Sequence, residues 1–410
     1  MDAFRNPFAP GAGTQPPELA GRQEVLRDAE VALERIKARV PARSEILVGL
    51  RGVGKTVLLN RIREMAVERG FESVLLEARE KTSLPELLIP AMRKILLRLD
   101  SGAALRAKTK LGLRILKSFM ERFRAKITVG QLGDIELGVD AERGMADSGD
   151  MPSDLTDVLV ALAEAAAEAN RPVCLLLDEL QYFKELELSA LIMAVHQINQ
   201  RNLPFLLVAA GLPLVLGLTG RSKSYAERLF TFPNIGALSM ESAKEALSVP
   251  TASRNVMFTD EALQAVFRST QGYPYFIQQW GYEAWNVAAA SPITLTDIDT
   301  ATTKAIRQLD ESFFRVRFDR LTKREKDYLF AMVSVGGQQQ RSGDIAERLG
   351  FKATSIGPLR SSLIAKGMIF SPSHGDNAFT VPLFDGFLRR QRTEPGDEGS
   401  QTQLLLTDLN

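Results

Sequence analysis

The chain has 410 residues, 45% hydrophobic and 25% charged, with a mean hydropathy of −0.06 and a formal net charge of +1. That length holds two or three domains with their own cores. The balanced charge excludes a global field for nucleic acid or anionic membrane, so any basic surface must be local. The single cysteine, Cys174, excludes an internal disulfide and suits a reducing cytoplasm; with only His196 and His374 beside it, little remains for a zinc site.

Residues 1–18 are rich in Pro and Gly and are expected to form an extended arm, with no apolar core of signal-peptide length. Val25 to Val40 has helical spacing and is ended by Pro41. From Ser44 to about Phe232, four nearly continuous apolar runs ("EILVG", "FESVLLEA", "PVCLLLDE", "PFLLVAA") alternate with segments whose apolar residues recur three or four apart. Continuous apolar strands are those covered on both faces, so the alternation predicts a doubly wound α/β domain with a parallel sheet, over residues 19–235. The uncharged run Leu203 to Gly220 just reaches bilayer length. Pro204, Gly211, Pro213 and Gly217 punctuate it, which predicts a buried strand, a loop and a helix start rather than a membrane span.

An insertion interrupts the alternation at about 93–140. Arg93 to Lys126 carries eleven Lys/Arg against Asp100 and Glu121, with Leu113, Leu116, Met120 and Phe123 at helical spacing. "ITVGQLGDIELGVD" then reads as a hairpin. The basic stretch is either a solvated basic face on a packed helix or a surface for nucleic acid or a partner. Residues 236–306 read as an α-helical segment, with Thr259 and Thr296, each followed by Asp, as candidate N-caps.

Residues 307–392 change character. A first helix starts after Thr322, a second lies between Ser342 and Gly350, and a third has Pro358 in its first turn. A two-stranded wing around "HGDN" follows, the order of a winged helix-turn-helix. Lys352, Ser355 and Arg360 would face a major groove, and Arg389 and Arg390 would touch phosphates. Such modules also serve as rigid docking units, so duplex DNA and a protein partner both stand. His374 at the wing tip reads as a loop residue. The tail, 393–410, is polar and expected to be disordered, with Leu404–Leu406 as a docking patch.

Chemistry concentrates at two places. Gly49, Leu50, Arg51, Gly52, Val53, Gly54, Lys55 and Thr56 satisfy G-x-x-x-x-G-K-[ST] between an apolar strand and a helix that continues through Val57. Glycines let the backbone amides curl around a β-phosphate, and the helix start aims its dipole there. Lys55 would reach the β- and γ-phosphates and the Thr56 hydroxyl would hold Mg²⁺. The second place is the end of the "PVCLLLDEL" strand: Asp178 is expected at Mg²⁺ and Glu179 as the general base for an attacking water. The alternative is that this acidic pair only caps the next helix. Cys174, inside that strand, reads as core.

A P-loop, an Asp-Glu strand end, a helical segment and a winged-helix pattern together resemble the AAA+/STAND class of ATPases, in particular its origin-recognition-like and archaeal-type branch. The likeness implies a P-loop NTPase fold with central parallel sheet, an α-helical lid and a winged-helix domain, and ATP with Mg²⁺ as ligands. "LAGRQEVL" resembles that branch's Gly-Arg box near the adenine, with Gly21 and Arg22 matching. "DELQYF" resembles its Asp-Glu-x-Gln strand end, with Gln181 in the Gln place. "QGYPYFIQQWG" resembles the Gly-x-Pro signature of STAND helical domains, which would bring Pro274 near the base. Arg228, or else Arg221, would be an arginine finger, the alternative for Arg228 being an exposed helix arginine.

Two departures bear on turnover. The fourth strand ends Ala209-Ala210-Gly211 where the class carries a polar sensor, and no arginine stands beside Gly272 and Pro274 as a second sensor. Slow or conditional hydrolysis is therefore expected, as in a switch. No guanine-reading motif follows the core ("LTKREKD" has Glu325 where Asp belongs), which favours ATP over GTP. The expectation is a cytoplasmic, non-membrane ATPase coupled to DNA or a partner and capable of nucleotide-dependent oligomers. The alternatives are a nucleotide-liganded DNA-binding regulator or an interaction scaffold with little hydrolysis.

Overall fold

The structure, a computed structural model, describes residues 1–11, 13–80, 82–99, 106–124, 139–222, 226–373 and 375–393. Most of the hairpin expected within 127–140, His374 and nearly all of the 393–410 tail lie outside them. Two units emerge: Gly21–Gly236 with Gly13–Gln15, and Ala237 onward with the described parts of Met1–Ala12 and Pro16–Ala20.

The first unit runs α1 (Gln23–Lys37), β1 (Ser44–Val48), α2 (Lys55–Glu68), β2 (Glu72–Glu77), α3 (Leu84–Leu99), α4 (Ala107–Arg124), α5 (Met151–Ala169), β3 (Val173–Asp178), α6 (Glu185–Gln200), β4 (Phe205–Gly211), α7 (Leu214–Ser222), α8 (Ala226–Leu229) and β5 (Phe230–Thr231). The strands form one parallel sheet in the order β2-β3-β4-β1-β5. β4 thus stands between β1 and β3. The alternating pleat sends Ile46, Val48, Leu175, Leu177, Leu207 and Ala209 into a core shared with Leu88, Met92, Leu116, Leu159 and Leu191 of the α3–α6 layer. α1 and α2 pack on strands of the same sheet through elements that bury Leu33, Leu58, Leu59 and Ile62. Both faces are covered, which is why the strands read as unbroken apolar runs.

The basic insertion resolves into packed helices. Leu113, Leu116 and Met120 of α4 are buried and Phe123 packs against the same core. Lys108 pairs with Glu164, Arg114 with Glu142, and Lys117 donates to the Val139 carbonyl, so these cations are engaged within the unit. α5 starts at a residue sequence reading did not mark: Asp150 accepts the Ser153 amide, with Pro152 in the first turn.

The second unit carries α9 (Met240–Ala252), α10 (Asp260–Thr270), α11 (Pro274–Val287) and α12 (Leu295–Gln308). A π-helical stretch, Leu309–Phe314, leads into α13 (Arg315–Phe318). Thr259 caps α10, accepting the Ala262 amide at 3.3 Å. The cap of α12 is Thr294, not Thr296: its hydroxyl accepts the Asp297 amide while Asp297 returns to the Thr294 amide at 2.8 Å. That reciprocal pairing satisfies two donors at once, which Thr296, two residues later and already inside the first turn, could not do. The N-terminal residues dock on α11. Phe8 is buried against Gly281, where a Cβ would lie 2.8 Å from the ring, and Trp285 Nε1 donates to the Asp2 carbonyl at 2.8 Å. Burying one phenylalanine contributes about 2–3 kcal/mol toward holding this Pro/Gly-rich segment in place, beside its hydrogen bonds to α11.

α14 (Lys323–Val335), β6 (Gln340–Arg341), α15 (Ser342–Arg348), α16 (Gly357–Ala365), β7 (Ile369–Phe370), β8 (Asp376–Phe379) and α17 (Phe384–Thr393) complete the chain. β6, β8 and β7 form an antiparallel sheet in that order. Pro358 stands in the first turn of α16. Phe276, Phe314, Phe384 and Phe387 form one aromatic cluster that includes α11, the π-helical stretch and α17, with neighbouring centroids 5.5–6.3 Å apart. Among the described residues, no helix is long and apolar enough to cross a membrane; Leu203–Gly220 forms β4, a loop and the start of α7, as its prolines and glycines imply.

Candidate nucleotide site

β1 delivers its chain into the loop Gly49–Gly54, and α2 starts at Lys55. Gly52 and Gly54 have φ of 81° and 96°, a region that L side chains avoid. Gly49 is required for a different reason: a Cβ there would lie 2.2 Å from the Ile235 carbonyl oxygen. The loop entry is held by that neighbour, since Ile235 N donates to Val48 O at 2.6 Å and Val48 N to Pro233 O at 2.9 Å. Val53 is buried; Leu50 and Arg51 are half-buried. No side chain caps α2 and its first turn holds no acid, so the first-turn amides of Thr56 and Val57 face a start without a built-in anion.

Lys55 is 6% exposed, and its ammonium donates to the Gly49 and Leu50 carbonyls at 2.9 and 2.8 Å. Burial lowers its pKa, opposed by the Glu179 and Asp178 carboxylates, with Arg51 adding to the lowering. Across β4, the end of β3 delivers the acidic pair. Thr56 Oγ1 donates to Asp178 Oδ2 at 2.6 Å, and Asp178 Oδ1 accepts the Glu179 amide at 2.8 Å. Burial raises the Asp178 pKa against the Thr56 hydrogen bond, and the neighbouring Glu179 charge raises it further.

Glu179 itself has φ 58° and ψ 43°, a left-handed conformation costing roughly 1 kcal/mol for a non-glycine residue. It opens a 3-10 turn, Leu180–Tyr182, that sends two side chains back toward the site. Gln181 Nε2 donates to Glu179 Oε2, while Gln181 Oε1 accepts the Leu212 amide at 3.1 Å beyond the end of β4. Tyr182 Oη accepts from Arg51 Nη2 at 2.8 Å, tying the glycine loop to the acidic strand end. Sequence reasoning missed Tyr182 altogether and gave Gln181 only a motif position; the left-handed Glu179 that makes both contacts possible leaves no periodic signal.

Of the remaining candidates, Arg22 reaches the glycine loop. Arg22 precedes α1 and donates to Val53 O at 3.2 Å and Gly236 O at 2.6 Å; burial lowers its pKa, yet a guanidinium stays charged. Pro274 opens α11 in the other unit, two residues after Gly272, where a Cβ would lie 2.3 Å from the Leu238 carbonyl oxygen. Arg228 is exposed on the four-residue α8, and of Arg221 only the backbone, in α7, is described. In the C-terminal module Lys352 and Ser355 are exposed, whereas Arg360 is committed internally to Asn377 Oδ1 and Ser371 Oγ, both at 2.7 Å. Arg390 pairs with Asp310, and Arg389 donates to the Val333 carbonyl at 3.4 Å.

The donor set fits a nucleotide with a hard divalent cation. A hydroxyl and a carboxylate at one point suit Mg²⁺, which takes few protein ligands beside phosphates and water. Among the described residues, no group of three or more His, Cys, Asp and Glu forms a self-sufficient metal cage.

Residues 18–208 match the family model described as AAA ATPase domain, and residues 311–388 match a domain of unknown function, DUF8462. No curated protein matches the chain. Among solved structures, the Walker-type ATPase PABY2304 of Pyrococcus abyssi is 16% identical, with 92% of this chain and 98% of that one covered, at a TM-score of 0.54. The ORC2 protein of Aeropyrum pernix is 14% identical, covering 94% and 98%, at 0.49. The ORC1 protein of Aeropyrum pernix in complex with DNA is 14% identical, covering 92% and 94%, at 0.46. The first likeness shows a shared fold; the two Aeropyrum similarities are weaker. With its parallel β2-β3-β4-β1-β5 sheet and its glycine loop facing the acid of β3, the chain has a P-loop fold, and its residues 18–208 are similar to the AAA ATPase domain.

Proposed function

We propose that the chain binds ATP with Mg²⁺ and hydrolyses it to ADP and phosphate as a conformational switch. The observation that supports this most is the 2.6 Å hydrogen bond from Thr56 to Asp178, which joins the two motifs at one point although β4 separates their strands. The amides of Gly52 to Val57 would cradle the β-phosphate. Lys55 would exchange the Gly49 and Leu50 carbonyls for phosphate oxygens, a gain because an anionic acceptor adds Coulomb attraction that a neutral carbonyl does not. Thr56 and Asp178 would hold Mg²⁺, which when bound neutralises charge on the phosphate oxygens. Glu179 would orient a water and take its proton. Arg22 would brace the adenine side, Pro274 would belong to the lid near the base, and Arg228 would act as a finger in a nucleotide-dependent oligomer.

We read the three helices and antiparallel strands of the C-terminal module as a winged helix that couples the switch to duplex DNA or a protein partner. Exposed Lys352 and Ser355 support a contact surface there, while the internal bonds of Arg360 support a role in fastening the hairpin. The test is ATP turnover with and without duplex DNA, in wild type and Glu179→Gln. Slow wild-type turnover, raised by the duplex and lost in the variant with ATP still bound, is the expected result; equal turnover in both proteins removes Glu179 from the base role. One feature favours a second reading, a regulator that only binds nucleotide: β4 ends in Ala209, Ala210 and Gly211, with no polar side chain to sense a phosphate. Salt-dependent duplex binding with no turnover selects it.

A further inference from the structure

We infer that Gln181 is the positioning residue of the Glu179 carboxylate and ties it to the end of β4. The inference rests on the reading of Glu179 as the base. A carboxylate on a flexible three-bond stem samples several rotamers unless something holds it. Here one side-chain amide uses both of its ends: Nε2 donates to Glu179 Oε2 and Oε1 accepts the Leu212 amide at 3.1 Å. This leaves Glu179 Oε1 outside the Gln181 contact.

The surroundings are shaped for that arrangement. The left-handed turn at Glu179 opens the 3-10 turn whose Gln181 side chain returns to the Glu179 carboxylate. Gly211 leaves the space: a Cβ there would lie 3.2 Å from Gln181 Oε1 and 2.5 Å from Val215 Cγ2. The polar group that β4 lacks is therefore supplied from the β3 side, and it reports to the backbone that begins α7. A shift of Leu212 moves Gln181, and Gln181 moves the carboxylate. Loss of this tie leaves nucleotide binding intact, because the amide touches neither the glycine loop nor Lys55, and lowers only the fraction of bound ATP facing a correctly aimed carboxylate.

Two substitutions separate aiming from bracing. Gln181→Leu removes both hydrogen bonds. Gln181→Glu keeps an acceptor for Leu212 but turns a carboxylate toward Glu179. Full-length wild type, both variants, Glu179→Gln and the Gln181→Leu/Glu179→Gln double variant are compared for kcat, KM, ATP affinity and melting temperature. The expected result is a roughly tenfold fall in kcat for both position-181 variants, with KM and ATP affinity within about twofold. The double variant falls no lower than Glu179→Gln alone, since both act through one carboxylate. Gln181→Glu turning over like wild type while Glu179→Gln is inactive overturns the proposal and leaves the base reading standing. Glu179→Gln turning over normally overturns the base reading itself.

Discussion

Replacing Glu45 with glutamine is expected to stabilise the first unit at alkaline pH and not at acid pH. Glu45 lies on β1 at 3% exposure, its Oε2 has no hydrogen-bond partner, and burial first, then the nearby Asp28 charge, raises its pKa from 4.5 to about 7. The unfolded carboxyl ionises near 4.5 and the folded one near 7, so the folded state holds the proton more tightly. Stability is therefore fully present below the lower value and is lost as pH rises through the upper one. At about 1.4 kcal/mol for each pH unit of that gap, the ionised side chain costs the folded state roughly 3 kcal/mol. A glutamine never ionises but leaves an amide group short of partners, at roughly 1 kcal/mol. The variant should thus exceed wild type by about 2 kcal/mol near pH 8 and match it near pH 5. Cys174 is the natural probe, fully buried on β3 in the same unit, whereas both tryptophans, Trp280 and Trp285, lie in the other. Urea titrations followed by reaction of Cys174 with a pyridyl disulfide give the two stabilities. A gain of equal size at both pH values, or none at pH 8, refutes the account.

Lys55→Ala removes the ammonium from the phosphate site and should weaken ATP binding by about 3 kcal/mol, or roughly 100-fold, measured with a fluorescent nucleotide. Gly49→Ala pushes a methyl group into the Ile235 carbonyl oxygen 2.2 Å away and should cost the first unit roughly 2–3 kcal/mol, read by the Cys174 protection assay. In the C-terminal module, burial would raise the Glu325 pKa, but donors from Lys366, the Thr322 amide, Ser362 and the Thr322 hydroxyl bring it down to about 2. Its contribution is present above about pH 4.5 and lost as pH falls toward 2. Lys366→Met, at a partly solvated cation, should cost about 1 kcal/mol at neutral pH and less in acid, followed by tryptophan fluorescence.

How much was legible depended on whether the determinant was local. The four apolar runs announced parallel strands because burial on both faces removes polar residues from a strand, and the glycine loop announced itself by a spacing its backbone geometry demands. The α4 helix was legible as a packed helix with a basic face at Leu113, Leu116 and Met120, but its partners α3 and α5 were not, since helical spacing marks a buried face without naming what covers it. Thr294 was passed over for Thr296 because both precede helical residues, and only the return bond from Asp297 distinguishes them. Docking of Phe8 on Gly281 joins residues far apart in the chain, and nothing near either one signals it. α17 was hidden by its arginines, although Phe384, Phe387 and Leu388 complete an aromatic core. At the site, Lys55, Thr56 and Asp178 could be named from types and order; the Gln181 and Tyr182 contacts follow from one backbone angle.

The segment from Pro233 to Gly236 runs beside β1, is paired to Val48, leaves no room for a Cβ on Gly49 and takes the Arg22 guanidinium at its last carbonyl. It is also the covalent lead into Ala237, where the second unit begins. One short peptide thus serves both as the wall of the phosphate loop and as the chain's passage out of the first unit.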